Sequence, residues 1–227
     1  MKESPILFNA PMVRALLDGR KTQTRRVLKH GSSTTQPLRI GPHPYSSGKY
    51  LIERWEETER SFTNFGRTDC IKCPFGSVGD TLWVRETWYP CSTFDPTDGI
   101  GALYRADPWR NGNEPSVKWK PSIHMPRWAS RITLEITSVR VERVNDISEE
   151  DAIAEGCVRE KVTQAWVDDC EPGSKARELA EILKGGYMTA RWVFENLWSS
   201  INGKGSWELN PWVWVIEFRR ESSNANG

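Results

Sequence analysis

Arg131-Ile132-Thr133-Leu134-Glu135-Ile136-Thr137-Ser138-Val139-Arg140-Val141-Glu142-Arg143-Val144 is the stretch on which the fold turns. Ile132, Leu134 and Ile136 share one phase of a period-two pattern, and Val139 and Val141 take the other. The run predicts the longest strand of the chain. A bulge near Thr137 and Ser138 reconciles the two phases, and it bends the strand in the way a small barrel requires.

Other strand and helix signals lie on both sides of this stretch. Upstream, Gly79-Asp80 signals a turn, and Thr81-Leu82-Trp83-Val84-Arg85-Glu86-Thr87-Trp88 is rich in strand formers. Pro11 followed by Met12, Val13, Leu16 and Leu17 predicts a short helix stopped at Gly19, with Arg20 to Arg26 leaving it as an extended segment. Residues 28–76 and 89–122 are polar or punctuated by Pro and Gly, and they read as two insertions. The first holds strands near 38–40 and 50–54, the second near 102–105 and 117–120. Downstream, Ser148-Glu149-Glu150-Asp151 is a capping box for a helix closed by Gly156, and helices over 176–184 and 187–201 follow. Trp212-Val213-Trp214-Val215-Ile216 is a nearly continuous apolar strand. Together these predict a mixed α/β fold: one domain over residues 1–227, with a small curved β-barrel, flanking helices and long insertions.

The chain has 227 residues, 37% hydrophobic and 27% charged, with a net charge of +1. Disorder, collagen and coiled coil fit this composition poorly. No apolar run reaches the roughly 18 residues of a membrane span, and the N-terminus lacks a signal-peptide core, so a cytoplasmic location without membrane partners is expected. The five cysteines are an odd count, which favours free thiols over a disulfide framework. Cys70 and Cys73 form a single C-x-x-C, and His30, His43 and His124 lack zinc-finger spacing, so neither metal nor cofactor is expected.

Charge is concentrated in one place. Arg14, Arg20, Lys21, Arg25, Arg26 and Lys29 stand against the single acid Asp18. Such a patch can hold phosphates or a developing anion, and it equally fits a solvated helix face.

Within that patch, Gly19-Arg20-Lys21-Thr22-Gln23-Thr24-Arg25-Arg26 resembles the G-x-K-x-x-E-x-R signature of the ASCH family, whose members carry a PUA-like β-barrel associated with RNA. Gly19, Lys21 and Arg26 match, and Thr24 stands where the signature has Glu. The wider chain looks like phage and prophage ASCH proteins in Pro5-Ile6-Leu7-Phe8, in residues 79–88, in Ser122-Ile123-His124-Met125-Pro126-Arg127-Trp128 and in the terminal strand. Small ASCH proteins that hydrolyse N4-acetylcytidine use a Lys-x-x-Thr pair and a later Glu. The resemblance thereby implies Lys21, Thr24 and Glu155 as a catalytic triad, with Glu149 and Glu150 as close competitors for the third place.

The chemistry of these residue types is consistent with that implication. A hydroxyl attacks an amide only when a base takes its proton, and a lysine serves once its surroundings favour the neutral amine. A Lys–Glu ion pair with Thr24 as a turn residue is the structural alternative. Arg25 and Arg26 beside the pair, with Trp88, His124 and Trp128, complete the candidate substrate-binding set, and core packing is the competing role for both tryptophans. Trp83, Trp198, Trp212 and Trp214 are expected in the core. The leading expectation is a metal-independent amidohydrolase acting on N4-acylated cytosine nucleosides or related modified nucleobases. A non-catalytic RNA-binding PUA-like module, or a ribonuclease, is the alternative. A zinc cytidine deaminase is excluded because H-x-E and P-C-x-x-C are both absent.

Overall fold

The computed structural model describes residues 1–29, 38–42, 48–54, 69–91, 101–109, 114–164, 168, 172–173 and 175–221. The side chain of Cys70 and all of His30 and His43 lie outside the described residues, as do large parts of both expected insertions. The chain is mixed α/β and divides into two compact units, one made of Met1–Glu142 with Trp212–Gly227 and the other of Arg143–Pro211.

In the first unit, β1 (Glu3–Leu7) leads into α1 (Ala10–Leu17) and then β2 (Gln23–Val27). The Asn9 side chain caps α1 by accepting from the Met12 N–H at 3.0 Å. Gly19, at φ +72°, turns the chain out of the helix where a Cβ would be strained. β3 (Leu38–Pro42), β4 (Lys49–Arg54) and β5 (Asp69–Lys72) form an antiparallel three-stranded sheet. β6 (Thr81–Arg85) follows, then the pair β7 (Trp88–Pro90) and β8 (Ala102–Tyr104). Two 3-10 turns, Ser122–His124 and Arg127–Ala129, precede β9 (Thr133–Arg143).

In the second unit, α2 (Glu149–Ala154) carries the expected Ser148 cap, whose Oγ accepts from the Asp151 N–H at 3.1 Å. β10 (Glu160–Lys161), α3 (Lys175–Ile182), β11 (Tyr187–Met188) and α4 (Ala190–Asn202) follow. β10 pairs with β11, so the predicted last helix begins three residues later than its periodicity implied. Thr189 sets that start by accepting from the Trp192 N–H at 3.2 Å. The final strand, β12 (Trp212–Arg220), returns to the first unit.

The central sheet runs β1-β6-β9-β12-β2, with β1 parallel to β6 and β12 antiparallel to β2. Its core holds Ile6, Phe8, Leu82, Val84, Leu134, Ile136, Trp214, Ile216 and Phe218. Val139 and Val141 pack on the same cluster as Leu134 and Ile136. Residues an odd number apart face opposite sides of a regular pleat, so β9 changes phase between Ile136 and Val139, as its sequence requires.

The sheet is strongly curled. Four strand spacings would part the edges β1 and β2 by about 19 Å in a flat sheet. Yet Arg26 on β2 donates from Nη2 to the Leu7 carbonyl of β1 at 2.6 Å. The edges therefore stand within one side chain of each other, without backbone pairing between them among the described residues. Pro5 is tolerated in β1 because an edge strand has one side free of ladder bonds.

Candidate functional site

The register of β2 against β12 sorts the basic segment into two faces. Thr24 pairs with Ile216 and Arg26 with Trp214, so both side chains lie on the core side of the sheet. Gln23 pairs with Glu217 and Arg25 with Val215 on the other side. There the Arg25 side chain, wholly buried, donates to Glu142, while Arg140 joins Glu142 to Glu217. Arg25 is thus committed to a structural ion-pair chain on the face away from Thr24, because neighbours in a strand point to opposite sides.

On the core side the shared wall is Phe8. Arg26 lies over its ring at 5.3 Å and Lys21 Nζ at 5.5 Å, and the ring packs on Phe218 at 6.3 Å. Lys21 and Thr24 are each only 2% exposed. Lys21 is held at the helix exit, where its N–H donates to the Ala15 carbonyl at 3.0 Å. The helix exit brings the lysine down onto Phe8, and the strand that follows brings Thr24 and Arg26 to the same side.

In the second unit, Glu155 is the C-cap of α2, 4% exposed, with Gly156 at φ +92° behind it. Its competitor Glu149 has another task. Both Glu149 oxygens cap α4, accepting from the Ala190 and Arg191 N–H groups at 3.0 Å each. Burial raises the Glu149 carboxyl, but these two bonds and Arg159 outweigh it and hold the group below the usual carboxylate range.

The other candidates gather around the two 3-10 turns in the first unit. Trp88 is 4% exposed and packs with Ala102, Tyr104, Met125 and Ala129, so it offers no ring face to a base. Trp128 does, at 64% exposed, with its ring edge-on to Trp88 at 5.6 Å. His124 ends the first turn and is exposed. Trp83, expected in the core, points away from it because it alternates with the buried Leu82 and Val84. Arg85 and Arg127 lie against its ring at 5.2 and 5.9 Å.

Sequence reading missed the cluster that anchors this region. Glu86, 1% exposed, accepts from Arg131 Nε and Nη2 at 2.9 and 3.1 Å, and Arg131 Nη1 also meets Asp107 at 2.6 Å. The Arg131 guanidinium stacks 3.9 Å above Tyr104, whose hydroxyl donates to the Ala129 carbonyl at 2.8 Å. Burial pushes the Glu86 carboxyl up despite Arg131, and it pushes Tyr104 up to about 12. The one available signal was a Glu in an otherwise strand-forming run, which a period-two reading assigns to a face without naming a partner.

Two links tie this region to Phe8. The Phe8 N–H donates to the Arg85 carbonyl at 3.1 Å, and Arg85 Nε donates to the Met125 carbonyl at 2.9 Å, beside His124. Among the described residues no three potential ligands cluster as a metal site, and Cys73 is a buried free thiol. No protein-family model matches this chain, and neither the curated proteins nor the solved structures yield a match.

Proposed function

We propose that the chain is an ASCH-type protein with a PUA-like barrel, and that it is a metal-independent amidohydrolase removing the acyl group from N4-acylated cytosine. The barrel part of the reading rests on the curl that brings Arg26 to Leu7. The catalytic part rests on one observation: a lysine and a threonine, each 2% exposed, are fixed one by a helix exit and the other by the strand after it. Burial strips an ammonium of its hydration, which is the setting in which a lysine serves as a base.

In this mechanism Thr24 Oγ1 attacks the acyl carbon while its proton passes to the neutral Lys21 amine. Arg26, on the same face as Thr24, supplies positive charge where the oxyanion develops. The C–N bond then breaks, Lys21 returns the proton to N4, and the cytosine amine leaves. Water hydrolyses the Thr24 ester by the same route, with Lys21 again taking and giving the proton. Glu155 keeps the third place in the triad that the resemblance implies for it.

The test uses N4-acylated cytosine, cytidine and cytidine monophosphate, with product followed by chromatography. Thr24→Ala and Lys21→Ala should each remove most turnover, and the double variant should be hardly worse, since nucleophile and base act as one unit. Glu155→Gln should lower kcat. Absence of turnover on every acylated substrate by the wild-type protein, or full activity in Thr24→Ala, overturns the reading.

A further inference from the structure

We infer that Phe8 is a positioning residue for the reaction: its ring seats the Lys21 ammonium that forms when Thr24 gives up its proton. The inference deepens the amidohydrolase reading and rests on it. Both cations of the proposed mechanism converge on this one side chain. Lys21 Nζ lies 5.5 Å from the centre of the ring, and the Arg26 guanidinium lies 5.3 Å from it.

The ring is fixed on two sides. Phe8 follows β1, and its N–H donates to the Arg85 carbonyl at 3.1 Å, which ties the main chain to the end of β6. The ring itself packs on Phe218 of β12 at 6.3 Å. Phe8, Lys21 and Thr24 are each 2% exposed, so the lysine meets the ring away from bulk water. Cation–π attraction is strongest in such a place, because hydration no longer competes with the negative face of the ring. Arg26 has a second hold one residue before the ring, its Nη2 bond to the Leu7 carbonyl at 2.6 Å.

The chemistry gives the ring a selective task. Thr24 Oγ1 forms the bond to the acyl carbon with its own electron pair and passes its proton to Lys21 Nζ, while the C=O pair moves onto the acyl oxygen. Negative charge appears on that oxygen, for which Arg26 supplies the counter-charge, and positive charge appears on Nζ. An aromatic face attracts an ammonium and not a neutral amine, so Phe8 favours Lys21 more after the proton has moved than before. Only an interaction that strengthens along the step accelerates it, and this one does. The same attraction keeps Nζ in place to return the proton to the leaving amine. Phe8 thus orients and stabilises the protonated base, the task a carboxylate performs for the histidine of a serine hydrolase.

Other charges on the neighbouring elements are turned elsewhere. Arg14 reaches the Ala106 carbonyl at 3.5 Å, and Asp18 pairs with Arg20 at 2.8 Å. Arg25 and Glu217 point to the opposite face of the sheet, as does Arg219, which meets Glu135 there at 2.6 Å. Arg26 is therefore the charge that α1, β2 and β12 bring to the ring beside Lys21.

The experiment replaces Phe8 by its mono-, di- and trifluorinated analogues, which nearly keep the shape of the ring while drawing charge from its face, and by leucine, which removes the face. Lysine is isotopically labelled, and the Lys21 Cε signal, identified by its loss in Lys21→Arg, is followed by NMR against pH without substrate. Each added fluorine should make Lys21 release its proton at lower pH, with Phe8→Leu shifted furthest, by about 0.4 to 1.5 pH units. On N4-acetylcytidine the series should lower kcat by about 2- to 30-fold with little change in KM, and the acid limb of the pH profile should move down with the lysine. Thermal melts of the fluorinated proteins should match wild type, so the series decides the matter even where Phe8→Leu does not fold. Wild-type protein without turnover would remove the hydrolase reading alone, and the Lys21 titration would still judge the seat on Phe8. A Lys21 titration that fluorine leaves in place or moves upward overturns the inference, as does a kcat that falls only in step with the melting temperature.

Discussion

Replacing Arg131 by methionine tests whether the ion pairs beneath Trp128 hold the first unit together. Glu86 is 1% exposed, and its two oxygens take two bonds from Arg131 at 2.9 and 3.1 Å. Removing the guanidinium leaves a carboxylate that water cannot reach and that has no other cationic partner among the described residues, a change that costs roughly 3–5 kcal/mol. At about 2–4 °C per kcal/mol for a chain of this size, the melting temperature should fall by roughly 6–20 °C. Asp107 adds little to the loss, because its side chain is 31% exposed and is rehydrated once Arg131 is gone. A second change identifies the cause: Glu86→Leu in the Arg131→Met background removes the stranded charge and should recover most of the stability.

The pH dependence has a definite sign. Burial already raises the Glu86 carboxyl, and Arg131 restrains that rise. Without Arg131 the folded-state value climbs further above that of the unfolded chain. An acid with a raised folded-state value is destabilising when ionised and is relieved as pH falls below that value. The deficit of Arg131→Met relative to wild type should therefore be largest at neutral pH and should shrink on acidification, as read by urea unfolding at several pH values. A deficit below about 1 kcal/mol, the size of a surface pair, would refute the reasoning, as would one that grows on acidification.

Tyr104 is pushed up to about 12, whereas an unfolded tyrosine ionises near pH 10, so stability present below pH 10 should drain away as pH rises toward 12. Tyr104→Phe should flatten that part of the alkaline unfolding curve, and an unchanged curve would contradict the assignment. Elemental analysis of protein never exposed to added zinc should find none at stoichiometric level, and Cys73→Ala should still fold, since Cys73 packs in the apolar core as a small side chain. Stoichiometric zinc would instead make the C-x-x-C a metal site.

What this chain wrote locally was legible in its sequence. The Ser148 cap, the exit at Gly19, the phase change of β9 and the apolar run of β12 are decided by residues within a turn or two of one another, so periodicity and capping chemistry reveal them. The ordering of strands is not local. β1 pairs in parallel with β6, some eighty residues on, and Pro5 hides that strand from a propensity reading. β5 escaped because four residues, Asp69–Lys72, carry too short a pattern to stand apart from their polar surroundings.

The same division runs through the candidate residues. Lys21, Thr24 and Arg26 were legible as a group because they sit within one short segment. Only the pairing of β2 with β12 separated Arg25 from them, by turning it toward Glu142. Sequence weighed Trp88 and Trp128 alike, and packing decided between them: the fold closes over Trp88 and leaves Trp128 exposed. Which of two tryptophans meets solvent depends on what distant segments lay against each, and Arg131 with Glu86 set that arrangement from 45 residues apart. Hydrophobicity tells a side chain that it should be covered, and only the tertiary structure supplies the cover.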